Sequence, residues 1–99
     1  MSLQVSITEN NGKTAISGAL TRATVPSLGK HRHHKIIKKN ADICVDLSQL
    51  TKVDTAGLAW LLLVLEQAKK HQCQVSFAHI PNDLLKLAQL SAVESLLRS

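Results

Sequence analysis

The sequence predicts an α/β fold in which a mixed sheet of about four strands carries helices mainly on one face, in a single domain over residues 1–99. Apolar residues recur at every second position in some segments and at helical spacing in others. These segments follow one another in the order β-β-α-β-α-β-α-α. Strand–helix–strand crossovers require parallel neighbouring strands with right-handed connections. The opening pair of strands adds an antiparallel hairpin, so the sheet is predicted to be mixed.

The chain opens with the predicted hairpin. Leu3, Val5 and Ile7 alternate with polar residues, which is the period of a half-buried strand. Residues 9–12 end in Asn-Gly, a strong signal for a tight hairpin turn. Residues 14–18 are therefore predicted to be the returning strand.

A helix with a weak apolar face is predicted next. Thr24 can cap it, and Pro26 is tolerated in its first turn. The helix would run through a basic stretch toward Asn40. Because its apolar face is thin and Gly29 lowers helix propensity, we expect it to be the least stable element. The apolar face consists of Val25, Leu28, Ile36 and Ile37.

The second half of the chain is predicted to alternate strands and helices. Residues 43–47 are typical of a central strand buried on both faces, and residues 48–52 of a connection. A long helix is predicted from Thr55 to about His71, with its core stripe at Leu58, Leu61, Leu62 and Leu65. A strand at 75–79, a helix opening at 81–83 and a short helix at 92–97 complete the prediction.

The long helix has more apolar residues than one buried stripe requires. Trp60, Leu63 and Val64 lie off the stripe, and two interpretations stay open. They belong to the core if the helix packs between the sheet and a second helix. They accept a partner if part of this face is exposed, since aromatic residues are favoured at interface centres. We favour a mixture, in which Thr55 and the neighbouring exposed turn meet the partner.

The formal net charge of +5 is concentrated in one segment of the chain. With one Phe, one Trp and no Tyr, a base-stacking platform is not expected, so no nucleic-acid partner is predicted. A solvated face is the favoured interpretation of the segment, followed by steering toward an acidic partner. Contact with an anionic membrane surface is a further alternative. The cations concerned are Lys30, Arg32, Lys35, Lys38 and Lys39.

No metal, cofactor or catalytic site is predicted. His31, His33 and His34 stand among cations that repel a divalent ion, and adjacent helical positions do not face each other. Asp46 and Asp54 lack a nucleophile–base arrangement, and the chain contains no phosphate-binding loop. The sequence therefore predicts a protein that is not an enzyme.

Location follows from what the chain lacks. The N-terminus does not have the pattern of a signal peptide, and the apolar run 58–65 is far shorter than the roughly 20 residues that cross a bilayer. A soluble cytoplasmic protein is expected. Cys44 and Cys73 have no zinc or redox spacing, so both are expected to be reduced thiols.

The candidate site is the start of the long helix. Asp54 is a good N-cap, and Thr55 follows with its hydroxyl predicted to point outward. Ala56 and Gly57 are small enough for another chain or a phosphate to approach the free N–H groups of the first turn. From local chemistry alone, a structural role for the Thr55 hydroxyl is the favoured interpretation, because Ser and Thr are common at helix starts.

Three motifs in this order, with the order of elements, resemble the STAS domain family. They are VDLS at 45–48, VDTAGLA at 53–59 and AKK at 68–70. Bacterial anti-sigma factor antagonists and the cytoplasmic tails of sulfate transporters share this fold. The chain is most similar to the small, free-standing STAS subunit of a bacterial phospholipid-trafficking ABC transporter. Two departures are Ala56, where some relatives have Gly, and the unusually basic first helix.

The resemblance implies a non-catalytic subunit that binds the cytoplasmic ATPase and, through it, the permease complex. Such a protein would be peripheral to the inner membrane and would support outer-membrane lipid asymmetry. Thr55 matches the key hydroxyl position of the family. With the small, capped turn around it and the candidate aromatic anchor on the same helix, the predicted partner-binding residues are Asp54, Thr55, Ala56, Gly57 and Trp60. The alternative is an anti-sigma antagonist switch controlled by phosphorylation at Thr55, where the helix dipole favours a phosphate and Asp54 repels it.

Overall fold

The protein is built on one mixed β-sheet with helices packed against it. The computed structural model describes residues 4–10, 13–28 and 36–98. The strands are β1 (Val5–Asn10), β2 (Lys13–Leu20), β3 (Asp42–Asp46), β4 (Leu50–Val53) and β5 (Gln74–Ala78). The helices are α1 (Thr55–Lys70), α2 (Asn82–Leu90) and α3 (Glu94–Arg98), and a short 3₁₀ helix spans Val25–Leu28. The predicted fold class is confirmed.

Strand β2 organises the sheet. It pairs with β1 in antiparallel fashion, which confirms the predicted hairpin, and the main strand order is β1-β2-β3-β5. On its other side β2 lies parallel to β3 near Thr14 and parallel to β4 near Leu20. Strands β3 and β5 are also parallel. The carboxyl ends of β2 and β4 therefore meet at one edge, where α1 begins.

The segment 48–52, predicted as a connection, contains most of β4. Strand β2 has eight residues and β3 only five, so β3 cannot pair with the whole length of β2. Strand β4 pairs with the remaining C-terminal part, in the register Leu20 opposite Val53. It thereby supplies backbone partners that β2 would otherwise lack. The polar residues of β4 conceal it from a search for hydrophobic alternation.

One face of the sheet forms the core with the helices, and the other is largely open. Ile16 of β2 and Val45 of β3 are fully buried with Leu61 of α1. On the opposite face of β3, Asp42 and Cys44 are exposed. The prediction that this strand is buried on both faces is wrong, because no helix covers its second face among the described residues. Both cysteines are free, as expected.

The predicted first helix is wrong at both of its described ends. Only the 3₁₀ helix Val25–Leu28 follows Thr24, and residues 36–40 are not helical. The Thr24 hydroxyl donates to the carbonyl of Ala19 and accepts the N–H of Thr21, so it closes a local turn and does not cap a helix. Ile36 and Ile37 are buried ahead of β3. The middle of the predicted helix, residues 29–35, lies outside the described residues.

The later elements agree with the prediction to within one or two residues. Helix α1 starts at Thr55, as expected, and its C-cap is His71. Strand β5 ends before His79, and α3 begins two residues after Ala92; both residues have a positive φ, of 56° and 58°. Across residues 4–10, 13–28 and 36–98, no helix combines the length and apolar character needed to cross a bilayer.

Candidate functional site

Asp54 fixes the start of helix α1 to the end of strand β2. One carboxylate oxygen, Oδ1, accepts the N–H of Gly57 at 3.1 Å, so Asp54 is the N-cap. The other oxygen, Oδ2, accepts the N–H of Arg22 at 2.9 Å. Both oxygens thus have internal partners. Of the predicted partner-binding residues, Asp54 therefore has a supporting role, because its side chain holds the neighbouring backbone in place.

These hydrogen bonds also stabilise the charged form of Asp54. The N–H of Arg22 has the largest effect and holds the carboxyl pKa below its ordinary value, with smaller contributions from Gly57, Ala56 and the nearby charge of Lys52. Partial burial acts in the opposite direction. The net result is a pKa below the ordinary value, so the carboxylate stays ionised to lower pH than an unperturbed aspartate.

Gly57 is small for a reason internal to the fold. A Cβ at this position would lie 2.1 Å from the carbonyl oxygen of Leu20 and 3.0 Å from Cγ2 of Val53. The glycine therefore lets α1 pack directly on the backbone of β2, and it is buried. The expectation that Gly57 leaves room for another chain is wrong, because strand β2 occupies that room. Ala56 is partly buried beside it.

Thr55 is the exposed member of the motif. It is the first residue of α1, and its side chain lies at the surface. Since Asp54 already caps the helix, the Thr55 hydroxyl is not needed for that purpose. The structural interpretation of Thr55 as a cap is therefore weakened, and the residue is accessible to a partner.

An uncharged stripe continues from Thr55 along α1. Ala59 and Leu63 follow at intervals of four residues and are exposed, Leu63 to 40%. The first charged residue of the helix is Glu66, in its fourth turn. Solvent-facing positions of a surface helix are normally polar or charged. We refer to Thr55, Ala59 and Leu63 as the Thr55 stripe.

Trp60 and Val64 belong to the core and not to the stripe. Trp60 is only 6% exposed and Val64 is fully buried. Part of the apolar excess of this helix is therefore core and Leu63 is at the surface, whereas Leu62 and Leu65 of the predicted core stripe are only half-buried. The contact of the Thr55 turn with a partner stays a prediction. Trp60 lies too deep to touch a partner in this conformation, so it drops out of the predicted contact set.

Two cations beside the stripe were missed by the sequence reasoning. Arg22 follows β2 and Lys52 belongs to β4, and both are exposed. The hydrogen bond from the Arg22 backbone to Asp54 brings together residues 32 positions apart. No local pattern signals that contact. Lys52 lies two residues before Asp54, so its closeness along the chain alone would have been enough to place it among the predicted partner-binding residues.

The basic segment is only partly described. Lys38 forms an ion pair with Glu9 at 2.7 Å, and Lys39 is exposed. The other three cations of the predicted membrane-facing set, and the three neighbouring histidines, lie outside the described residues. Within the described residues, no group of three or more His, Cys, Asp and Glu side chains is arranged to hold a metal ion.

A separate groove of about 920 Å³ lies at the other end of α1. Its walls come from the C-terminal half of this helix, the beginnings of β3 and β5, and Leu96 of α3. Leu62 and Val75 contribute apolar surface, and Glu66 and Lys69 are among its polar lining residues. None of the residues of the Thr55 stripe lines it. The groove and the stripe are therefore distinct features.

Comparisons with known proteins agree on the family. A family model described as "Mlab, STAS domain" matches residues 3–98. The intermembrane phospholipid transport system binding protein MlaB of Escherichia coli strain K12 is 31% identical over 90 residues, covering 91% of this chain and 90% of that protein. The MlaB protein of Shigella flexneri matches with the same values.

A solved structure agrees on the fold. The crystal structure of an anti-sigma factor antagonist from Mycobacterium paratuberculosis superimposes with a TM-score of 0.62. The superposition covers 96% of this chain and 82% of the antagonist chain, at 18% sequence identity. At this identity the similarity establishes shared architecture and carries no argument about activity or partners.

Proposed function

The chain belongs to the STAS domain family, matching its MlaB model, and we propose that it is a non-catalytic subunit of an ABC transporter for phospholipids. It would bind the cytoplasmic ATPase and, through it, the permease complex. The Thr55 stripe is the observation that carries the proposal. On three successive turns of α1, the exposed positions are Thr55, Ala59 and Leu63, and none of them is charged. Such an uncharged surface suits burial by a partner.

The proposed mechanism is thermodynamic linkage. A subunit that binds an assembled or catalytically competent ATPase better than other states shifts the population toward that state. No chemistry by the subunit itself is required. Its location would be peripheral to the inner membrane, and its contribution to outer-membrane lipid asymmetry would be indirect. Asp54 and Gly57 support the surface by fixing α1 on β2.

The phosphorylation switch at Thr55 is not adopted. The anti-sigma factor antagonist shares the architecture at 18% identity, and this supports the fold alone. The geometry of Thr55 does not single out a phosphate over a protein partner. The helix N-terminus and the exposed cations Arg22 and Lys52 would attract a negative group, whereas the adjacent Asp54 carboxylate would repel it.

Co-purification with the transporter ATPase of the same organism tests the proposal. Thr55→Glu introduces a bulky charge at the head of the stripe, and we expect it to reduce the recovered complex and the ATPase activity that depends on it. Ser95→Glu is the matched control, since Ser95 is an exposed hydroxyl residue in the first turn of α3. An unchanged complex with Thr55→Glu would rule out this surface.

A further inference from the structure

Arg22 and Lys52 place positive charge at one end of the Thr55 stripe. The backbone of Arg22 is bonded to Asp54 at 2.9 Å, so the residue sits directly beside the first turn of α1. Lys52 lies in β4, two residues before Asp54. Both side chains are exposed. The N-terminal end of a helix adds partial positive charge of its own.

This charge is not neutralised by ion pairs in the described part of the chain. Lys38 pairs with Glu9, and neither Arg22 nor Lys52 takes part in an ion pair among the described residues. All seven Asp and Glu residues belong to the described residues, so no acidic side chain elsewhere can pair with these cations. The adjacent Asp54 carboxylate accepts backbone N–H groups and interacts with the charge of Lys52, so it offsets one of the two cations in part and a net positive charge remains.

We propose that the stripe is covered by a partner segment with an apolar centre and carboxylates at one end, which lie against Arg22 and Lys52. This inference rests on the proposed function and adds the chemistry of the partner to it. Ala59 and Leu63 would contact the apolar centre, while the two cations would form a charged rim. Charges at an interface rim mainly set the association rate and its salt dependence.

Association kinetics with the purified ATPase test the rim directly. We would measure Arg22→Glu, Lys52→Glu and the double variant at low and high salt. Because the Asp54 bond uses the Arg22 backbone, replacing the side chain leaves it intact. Each reversal is expected to slow association about tenfold at low salt, and the difference should shrink at high salt.

Lys70→Glu is the matched control, because Lys70 is an exposed cation at the far end of the same helix. It changes the net charge equally, but with the low-salt measurement made at about 0.1 M it should alter the association rate by less than about twofold, since that end lies beyond the Debye length of about 10 Å at this ionic strength. Equal effects of Lys70→Glu and Lys52→Glu would overturn the inference. Faster association of the reversal variants would also overturn it, since it would indicate a basic partner.

Leu63→Gln separates this inference from the proposed function. The variant removes apolar surface without changing charge, and it should raise the dissociation rate at every salt concentration. If Leu63→Gln weakens binding and the charge reversals do not slow association, the proposed charged rim is wrong, but the Thr55 stripe remains the docking surface. If neither Leu63→Gln nor Thr55→Glu weakens binding, the Thr55 stripe is not the docking surface, and if the wild-type protein itself does not bind the ATPase, the proposed function fails as well. Urea unfolding of each variant checks that it is folded.

Discussion

Asp54 connects two segments that lie 32 positions apart in the chain. Replacing it by Ala removes the N-cap bond to Gly57 and the bond to Arg22, so we expect the free energy of unfolding to fall by about 1–3 kcal/mol. Asp54→Asn keeps one acceptor oxygen and should lose less. Urea unfolding monitored by circular dichroism gives the comparison. Equal stability of wild type and Asp54→Ala would show that these bonds are not formed in solution.

The same residue predicts how stability depends on pH. The pKa of Asp54 is lower in the folded state than its ordinary value of 3.8, because backbone N–H groups bond to the carboxylate. A group with a depressed folded pKa stabilises the fold above its unfolded pKa and loses that effect as pH falls through the folded value. Stability should therefore drop below about pH 4. Asp54→Asn should show a shallower decline.

For Gly57→Ala we expect a change in the free energy of unfolding that is opposite in sign to the one that helix propensity predicts. Gly→Ala within a helix normally stabilises by up to about 1 kcal/mol. Here the new Cβ would lie 2.1 Å from the carbonyl oxygen of Leu20, so either the strand or the helix must shift. We expect Gly57→Ala to lower the free energy of unfolding by about 1–3 kcal/mol. Ala59→Gly, at an exposed site, should cost about 1 kcal/mol through propensity alone.

Thermal and urea unfolding of the two variants would decide the point. A Gly57→Ala protein more stable than the wild type would mean that α1 does not pack on β2 as closely as described. The expectation from sequence that Gly57 opens the backbone to a partner could not foresee this, since the contact depends on Leu20, far away in the chain.

At the scale of elements, helix α1 divides its apolar residues between core and surface. Trp60, the single tryptophan of the chain, reports on that division because it is 6% exposed. We expect acrylamide to quench its fluorescence weakly in the native protein and strongly after unfolding. Efficient quenching in the native state would place Trp60 at the surface and restore it to the candidate contacts.

Elements with a local signature were predictable from the sequence. The hairpin follows from alternation and Asn-Gly, and the start of α1 follows from Asp54 as N-cap. Strand β4 was not predictable, because its polar residues show no alternation and its pairing depends on the length of β2. The predicted first helix is wrong at its described ends, and at the first of them the Thr24 hydroxyl bonds back to the Ala19 carbonyl and does not cap a helix.

The candidate site divides in the same way. Thr55 was predicted to lie at the surface from its place after an N-cap, and the residue is exposed. The roles of Gly57 and Arg22 depend on contacts with β2 and on the Asp54 bond, which join distant parts of the chain. Sequence patterns report such contacts only when the fold is already known.

At the scale of the whole molecule, the sheet and the Asp54 N-cap hold the exposed surface of helix α1 in a fixed position. Strand β2 supports α1 through the backbone of Leu20, while Asp54 ties the helix to Arg22. The Thr55 stripe is therefore presented on a rigid element, and little conformational entropy is lost when a partner covers it. Rigid presentation of an uncharged stripe suits a subunit that acts by binding.

Site-specific photo-crosslinking in the assembled transporter tests this account most directly. A photoreactive residue at position 59 should form a covalent product with the ATPase, because Ala59 lies within the Thr55 stripe. The same photoreactive residue at position 90 should form no product, because Leu90 lies on α2, outside the stripe. Leu90 is 87% exposed, so a missing product would not be due to burial of the position. A product from position 90 with none from position 59, in a complex that has assembled, would contradict the account.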